Sequence, residues 1–284
     1  MFIPLHDANR LKHIHLQYVT LALIVVNVAI WFLVMNPLYA SEDAIKAAVY
    51  SWGFIPVVAS GEEVLPYELQ RIPPWASYIT YAFLHGGLLH LGGNMLFIWV
   101  FGDNVEDALG HLRYLFFYLC CAAAGAFVHE LALPGSEAPL IGASGAAAGV
   151  VTAYLLLHPH VKVWVLALGR IPLRLSALWV IGAWIAFQIA SFTFGGEEQV
   201  SFAAHVGGIA AGAVLLPVLK RKGVALFDRK PVPEVVPPLA PVTADEGHPL
   251  PGQPEPAQKP QEAAQPAEEP DKPSPWGRQP RGEQ

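Results

Sequence analysis

The chain has 284 residues and a mass of 30.7 kDa; 54% of the residues are hydrophobic, 14% are charged, and the mean hydropathy is +0.39. An ordinary soluble domain carries about 25% charged residues, so the composition is that of a polytopic membrane protein. A sequence pI near 6.0, not the high value of a basic surface, excludes a nucleic-acid binder working through clustered Lys and Arg. Two cysteines, the neighbours Cys120 and Cys121, exclude a disulfide-stapled secreted domain. The formal net charge of −6 belongs mostly to the C-terminal stretch, because residues from Lys230 on hold 15 of the 26 prolines and 9 of the 23 acids.

A helix needs about 20 mainly apolar residues to cross a hydrocarbon core of about 30 Å, and the sequence offers six such segments. In chain order they run over residues 16–35, 84–101, 112–131, 141–157, 175–194 and 200–219. The predicted fold class is therefore an all-α polytopic membrane protein with six transmembrane helices. The first apolar stretch is too long for a signal peptide and lacks a small-residue cleavage site before Asn36-Pro37, so it reads as a retained anchor. Residues 1–15 form an N-terminal segment, 16–219 the membrane domain, and 220–284 a basic juxtamembrane segment followed by a Pro-rich tail. That tail cannot assemble a core and is predicted to be disordered.

Loop charges set the predicted orientation. Arg10, Lys12, Arg113, Lys162, Arg170, Arg174, Lys220, Arg221 and Lys222 fall on one side. The other side holds Glu42, Asp43, Glu62, Glu63, Glu137, Glu197 and Glu198 against only Lys46 and Arg71. Both termini are thus predicted cytoplasmic. The long outer segment between the first two spans, residues 37–83, mixes aromatic residues with prolines and acids. It reads as a folded hairpin lying partly in the outer leaflet.

Polar side chains inside spans are unfavourable in lipid, which makes each a candidate for function. The second span carries His85, His90 and Asn94, the fourth opens with Gly142-Ala143-Ser144-Gly145, and the sixth contains His205. All three spans enter from the outer side, and His90, Asn94, Ser144 and His205 fall at overlapping depths in the outer half of the bilayer. His90 and Asn94, four residues apart, share a helix face. A serine, a histidine and an Asn/His donor pair supply a nucleophile, a general base and donors for an oxyanion, the inventory of acyl transfer. Gly145 and Gly149 on the fourth span and Gly208 and Gly212 on the sixth are small-xxx-small pairs, which let helix backbones approach closely.

Taken singly, each of these residues has an ordinary structural explanation: a packing serine, a buried histidine bonded to a carbonyl, an asparagine bridging helices. Four of them at one depth, with glycines placed to join them, are better explained together. Three imidazoles (His85, His90, His205) raise the thought of zinc, but there is no H-E-x-x-H string and Asn is a poor zinc ligand. No metal or other cofactor is predicted. A small transporter would show an internal repeat with charges or broken helices at the midplane, and no repeat is found.

The strings HGGLLHLGGN, GASG and AHVGG on alternate spans, with G-x-x-x-E…G-x-x-R-Y over 102–114, resemble the rhomboid family of intramembrane serine proteases. The resemblance covers roughly residues 16–219 and implies a rhomboid-like six-helix bundle. It implies that Ser144 is the nucleophile, His205 the base of a dyad without aspartate, and His90 and Asn94 oxyanion donors together with the Ser144 N–H. It gives His85 a structural place near the site, with Gly142 and the four paired glycines, and has Glu106 and Arg113 tie down the loop after the second span. Two positions depart from the pattern. Ala148 stands where an aromatic residue packs on the histidine in well-studied members, leaving open what orients His205, and Ala76 rather than Arg follows Trp75.

The implied activity is serine endopeptidase cleavage of transmembrane segments of other membrane proteins near the outer face. The alternative is a catalytically inactive relative that binds membrane clients. The expected partners are transmembrane substrates and the lipid bilayer, with no nucleic acid. The Ala/Pro/Gly-rich usage suggests a bacterial inner membrane, and the sequence leaves the oligomeric state open.

Overall fold

The computed structural model describes residues 2–167, 169–195 and 201–228. A strand, β1 (Phe2–Asp7), leads into α1 (Tyr18–Ile30), which continues as a widened turn over Trp31–Met35. The outer segment folds as α2 (Glu42–Trp52), α3 (Pro56–Ala59), two single 3₁₀ turns and α4 (Ser77–Thr80). The main bundle follows: α5 (Leu88–Leu109), α6 (His111–Ala132), α7 (Ser144–Leu157), a hairpin β2 (Lys162–Ala167) and β3 (Ile171–Ser176), then α8 (Ala177–Phe194) and α9 (Phe202–Leu219).

The protein is a mostly helical, polytopic membrane protein. Among the described residues four helical stretches are long and apolar enough to span by themselves: Tyr18–Met35, His111–Ala132, Ala177–Phe194 and Phe202–Leu219. A fifth arises if the helical turns of Pro74–Phe83 and α5, bent by 87° across the break at residues 84–87, count as one broken span. The predicted fourth span is shorter than expected, because its helix begins only at Ser144. Its 14 residues rise about 21 Å, so the extended chain before Ser144 must supply any remaining depth. The second predicted span continues past Phe101 to Leu109, and Asp103, Glu106 and Asp107 in its last two turns explain why hydropathy ended it early. The start of the sixth at Val200, with Glu197 and Glu198, lies outside the described residues, as does the tail from Lys230.

The small sheet is the element that hydropathy did not reveal. Strand order is β1-β2-β3, all antiparallel, and Trp164 faces His6 on one side and Arg174 on the other. Val163 and Val165 point inward and are fully buried, while Lys162 and Trp164 point out, the period-2 alternation of a half-buried strand. The Arg174 guanidinium lies 6.0 Å from the Trp164 ring, within cation–π range.

Buried carboxylates tie the N-terminal segment and α1 to α5. Glu106, with no exposed surface, accepts from the Val19 N–H (2.9 Å), the Thr20 N–H (2.8 Å) and the Thr20 hydroxyl (2.7 Å). Helix α1 has no capping side chain of its own, so a carboxylate from α5 satisfies its first-turn donors and complements its positive end. The next residue, Asp107, accepts the backbone N–H groups of Lys12, His13 and Ile14 at 2.6–3.0 Å. The basic juxtamembrane segment, described to residue 228, folds back on the bundle: Arg221 N–H bonds Ala108 O, and Phe227 N–H bonds Leu156 O. Arg113 donates to the Leu219 carbonyl at 3.3 Å.

Asp7 anchors β1, accepting from the Tyr154 hydroxyl (2.8 Å) and the Asn104 amide (3.1 Å). Burial pushes its carboxyl from an ordinary 3.8 up to about 6. The folded chain therefore holds this proton more tightly than the unfolded one. The group contributes most below about pH 4, and that contribution is lost as pH rises through 6. Thermal unfolding in detergent is expected to show wild type losing stability relative to Asp7→Asn between pH 4 and 7.5, by up to about 3 kcal/mol. An unchanged difference across that range would exclude the buried proton.

Candidate active site

Three backbone features converge where α7 begins. Gly142 adopts φ +120°, a conformation that side chains other than glycine's hydrogen rarely permit. Its N–H donates to the Tyr81 carbonyl at 3.0 Å. Ser144 is then the first residue of α7, half-buried. The first-turn N–H groups of a helix lack intrahelical partners and carry its positive end, so Ser144 stands at an electropositive, donor-rich corner.

From α5 and the bend before it come the polar groups of the second span. A Cβ built on Gly142 would lie 2.6 Å from His90 Nε2, 2.7 Å from His90 Cε1 and 3.7 Å from Asn94 Nδ2. His90 thus occupies the space a side chain at 142 would need, and the Asn94 amide lies directly behind it. His90 is exposed, whereas Asn94 is buried and its Nδ2 has no hydrogen-bond partner among the described residues. Buried amide donors are nearly always paired, so this one is poised for an acceptor. Fully buried His85 accepts from the Ala143 N–H at 3.4 Å and sits edge-on to His90 with ring centroids 5.1 Å apart.

Helix α9, which carries His205, packs on α7 through backbone contact. A Cβ on Gly145 would sit 3.2 Å from the Ala204 carbonyl, and one on Gly208 would run into the Gly145 backbone, 2.8 Å from its carbonyl carbon. One turn on, a Cβ on Gly212 would be 2.8 Å from Gly149 Cα, and one on Gly149 would be 2.7 Å from Cys121 Cβ. The four glycines therefore form the α7–α9 crossing. Ser144 and His205 are the residues next to the Gly145–Ala204 contact.

The imidazole of His205 is held on several sides. Its Nδ1 lies 3.0 Å from Gln188 Oε1 on α8. Trp184 and Phe202 each lie 6.2 Å away by ring centroid, at 33° and 90°. Ala148 is buried and presents no ring, so α8 and the start of α9 supply the aromatic contacts instead. Gln188 escaped the sequence reading although the rule that marked the other polar span residues applies to it equally. Tyr81 also escaped. Fully buried, it donates its hydroxyl to the Ala122 carbonyl at 2.8 Å and lies 3.0 Å from built Cβ positions on both Gly125 and Gly145. It pins α6, α7 and the Gly142 turn together.

Glu106 and Arg113 are not brought to this site. Glu106 lies 16 residues beyond His90 on α5, about 24 Å along the helix, and bonds the start of α1 and His111. A cavity of about 460 Å³ in the outer segment, lined by Tyr50, Ile55, Glu63 and Arg71 among others, includes none of the candidate residues. Among the described residues no group of three or more His, Cys, Asp or Glu is arranged to hold a metal ion.

Comparison with known proteins adds the family. The Rhomboid domain profile matches residues 73–222, from the turn before α4 to just past α9. The chain is 33% identical over 148 residues to Rhomboid protein 1, mitochondrial, of Saccharomyces cerevisiae, covering 49% of this chain and 40% of that protein. It is 28% identical over 170 residues to Rhomboid-like protein 11, chloroplastic, of Arabidopsis thaliana, covering 57% and 59%. It is 28% identical over 152 residues to Rhomboid-related protein 3 of Homo sapiens, covering 51% and 36%. This chain belongs to the rhomboid family. It spans between 36% and 59% of the length of these three relatives.

The crossing yields a stability prediction. Gly208→Val is expected to prevent folding or cost more than about 3 kcal/mol, read as thermal unfolding in detergent, because backbone rather than a movable side chain blocks the new atoms. Gly92→Ala, where nothing lies within 4 Å of the new Cβ, is expected to stay within about 1 kcal/mol of wild type.

Proposed function

We propose that this protein is an intramembrane serine endopeptidase that cuts transmembrane segments of other membrane proteins. The observation that carries the proposal is the convergence of His90 and the unpartnered Asn94 amide on Gly142, two residues before a serine at a helix N-terminus. The family supports the same reading at a coarser level, since it places the chain among membrane-embedded rhomboid proteins.

In this reading Ser144 Oγ attacks the scissile carbonyl while His205 Nε2 takes its proton. The developing oxyanion is met by His90, Asn94 and the Ser144 N–H, donors already in place before charge appears. The proton then passes from His205 to the leaving amine, giving an acyl-enzyme that water hydrolyses by the same steps in reverse order. A substrate helix must unwind locally to present its carbonyl, which favours segments containing Gly or Pro, both weak helix formers. We place the protein in a bacterial plasma membrane with both termini cytoplasmic, on the Ala/Pro/Gly-rich composition and the Lys/Arg distribution. Two of the three relatives carry mitochondrial or chloroplast names, and an organelle membrane is the corresponding alternative.

The test is covalent labelling of detergent-purified protein with a fluorophosphonate. Wild type is expected to label, Ser144→Ala and His205→Ala to remain unlabelled, and Asn94→Ala to label about 10²-fold more slowly, as for loss of one oxyanion donor. Folded wild type that takes no label would remove the protease reading and favour a rhomboid-like protein that binds membrane clients.

A further inference from the structure

We propose that Gln188 is the positioning residue of the Ser144–His205 pair, selecting the His205 tautomer that leaves Nε2 free to act as base. The inference rests on the protease reading above and adds to it the group that holds the base.

A neutral imidazole has one N–H donor and one acceptor nitrogen, and the partner of one nitrogen decides the state of the other. With Gln188 Oε1 3.0 Å from His205 Nδ1, the amide oxygen accepts the Nδ1–H bond. The lone pair is then on Nε2, the nitrogen that must receive the serine proton. The opposite tautomer would put hydrogen on Nε2 and leave Nδ1 facing an acceptor, which loses the hydrogen bond and disables the base together.

Helix α8 shows that this contact is built into the fold. Most of its surface is apolar and outward, with Trp179, Phe187, Ile189 and Phe192 exposed. Its buried residues are Ala177, Val180, Ile181 and Gln188. An amide turned inward from such a helix is unfavourable unless it is bonded, and the described partner of its oxygen is His205. Helices α7, α8 and α9 contain no Asp or Glu at all. A carboxylate in this setting would carry the cost of a buried charge; a neutral amide orients the ring without it. Trp184, one turn earlier on α8, restricts the ring plane, so one helix controls both the rotation and the tautomer of His205.

The experiment follows fluorophosphonate labelling over a range of probe concentrations, separating the maximal rate from the half-saturating concentration, with thermal unfolding as the fold control. Gln188→Met keeps the volume and removes the acceptor. It is expected to lower the maximal rate about 10- to 30-fold, with the half-saturating concentration and the unfolding temperature close to wild type. Gln188→Glu restores an acceptor oxygen whether ionised or protonated, and is expected to recover the rate to within about threefold of wild type. Should Gln188→Met fail to fold, Gln188→Leu together with Gln188→Glu provides the same comparison. A wild-type rate in folded Gln188→Met, or a Gln188→Glu as slow as Gln188→Met, would overturn the assignment while leaving the protease reading intact. Absence of label in folded wild type would refute the protease reading itself, and this inference with it.

Discussion

The close crossing of α7 and α9 is the constraint on which the rest of the molecule depends. Two helices in lipid gain nothing from hiding apolar surface from each other, since the acyl chains are equally apolar. What holds them is van der Waals contact at short range, and that requires the absence of side chains. At Gly145, Gly149, Gly208 and Gly212 each missing Cβ is replaced by the backbone of the facing helix or by Cys121. A crossing this tight has very few relative positions, because a shift of one residue would bring a methyl group or larger onto a carbonyl. Ser144 and His205 are the sequence neighbours of Gly145 and Ala204, so that backbone contact fixes where their main chains lie.

The two ends of the helical unit are finished by different physics. Where α5 meets α1 and α6, carboxylates are buried and fully employed: Glu106 serves the first turn of α1 and Asp107 gathers three successive backbone donors. Such satisfied networks are rigid because every alternative leaves a charge or a donor unpaired. Near Ser144 the Asn94 amide is buried without a hydrogen-bond partner among the described residues. Donors held in a low-dielectric site gain more from a nearby charge than donors in water do. The same donors interact strongly with any anion that forms beside them.

Positioning of His205 illustrates how a local deficit is met from elsewhere in the fold. Ala148 offers no ring, and α8 supplies Trp184 as a flanking surface and Gln188 as a hydrogen-bond acceptor. The proposed base is thereby oriented from a helix that contributes nothing else polar to the site. Coupling of this kind makes the geometry of His205 a property of the α8–α9 packing and not of α9 alone.

Much of this was legible in the sequence where the signal is local. Long apolar runs, the spacing of the four glycines, and His90, Asn94, Ser144 and His205 as polar exceptions follow from hydropathy and helical period, which need no knowledge of what lies opposite. The same local rule marks Gln188, but nothing in one helix says that its amide meets an imidazole 17 residues later. Only the tertiary structure decided the start of α7 at Ser144, the role of Tyr81 as a pin and the capping of α1 by Glu106. It alone decided the pairing of β1 with β2, closed by a bond between Asp7 and Tyr154 across 147 residues. Those features are contacts between distant segments, and their energy exists only once the glycine crossing and the buried carboxylates have brought the segments together.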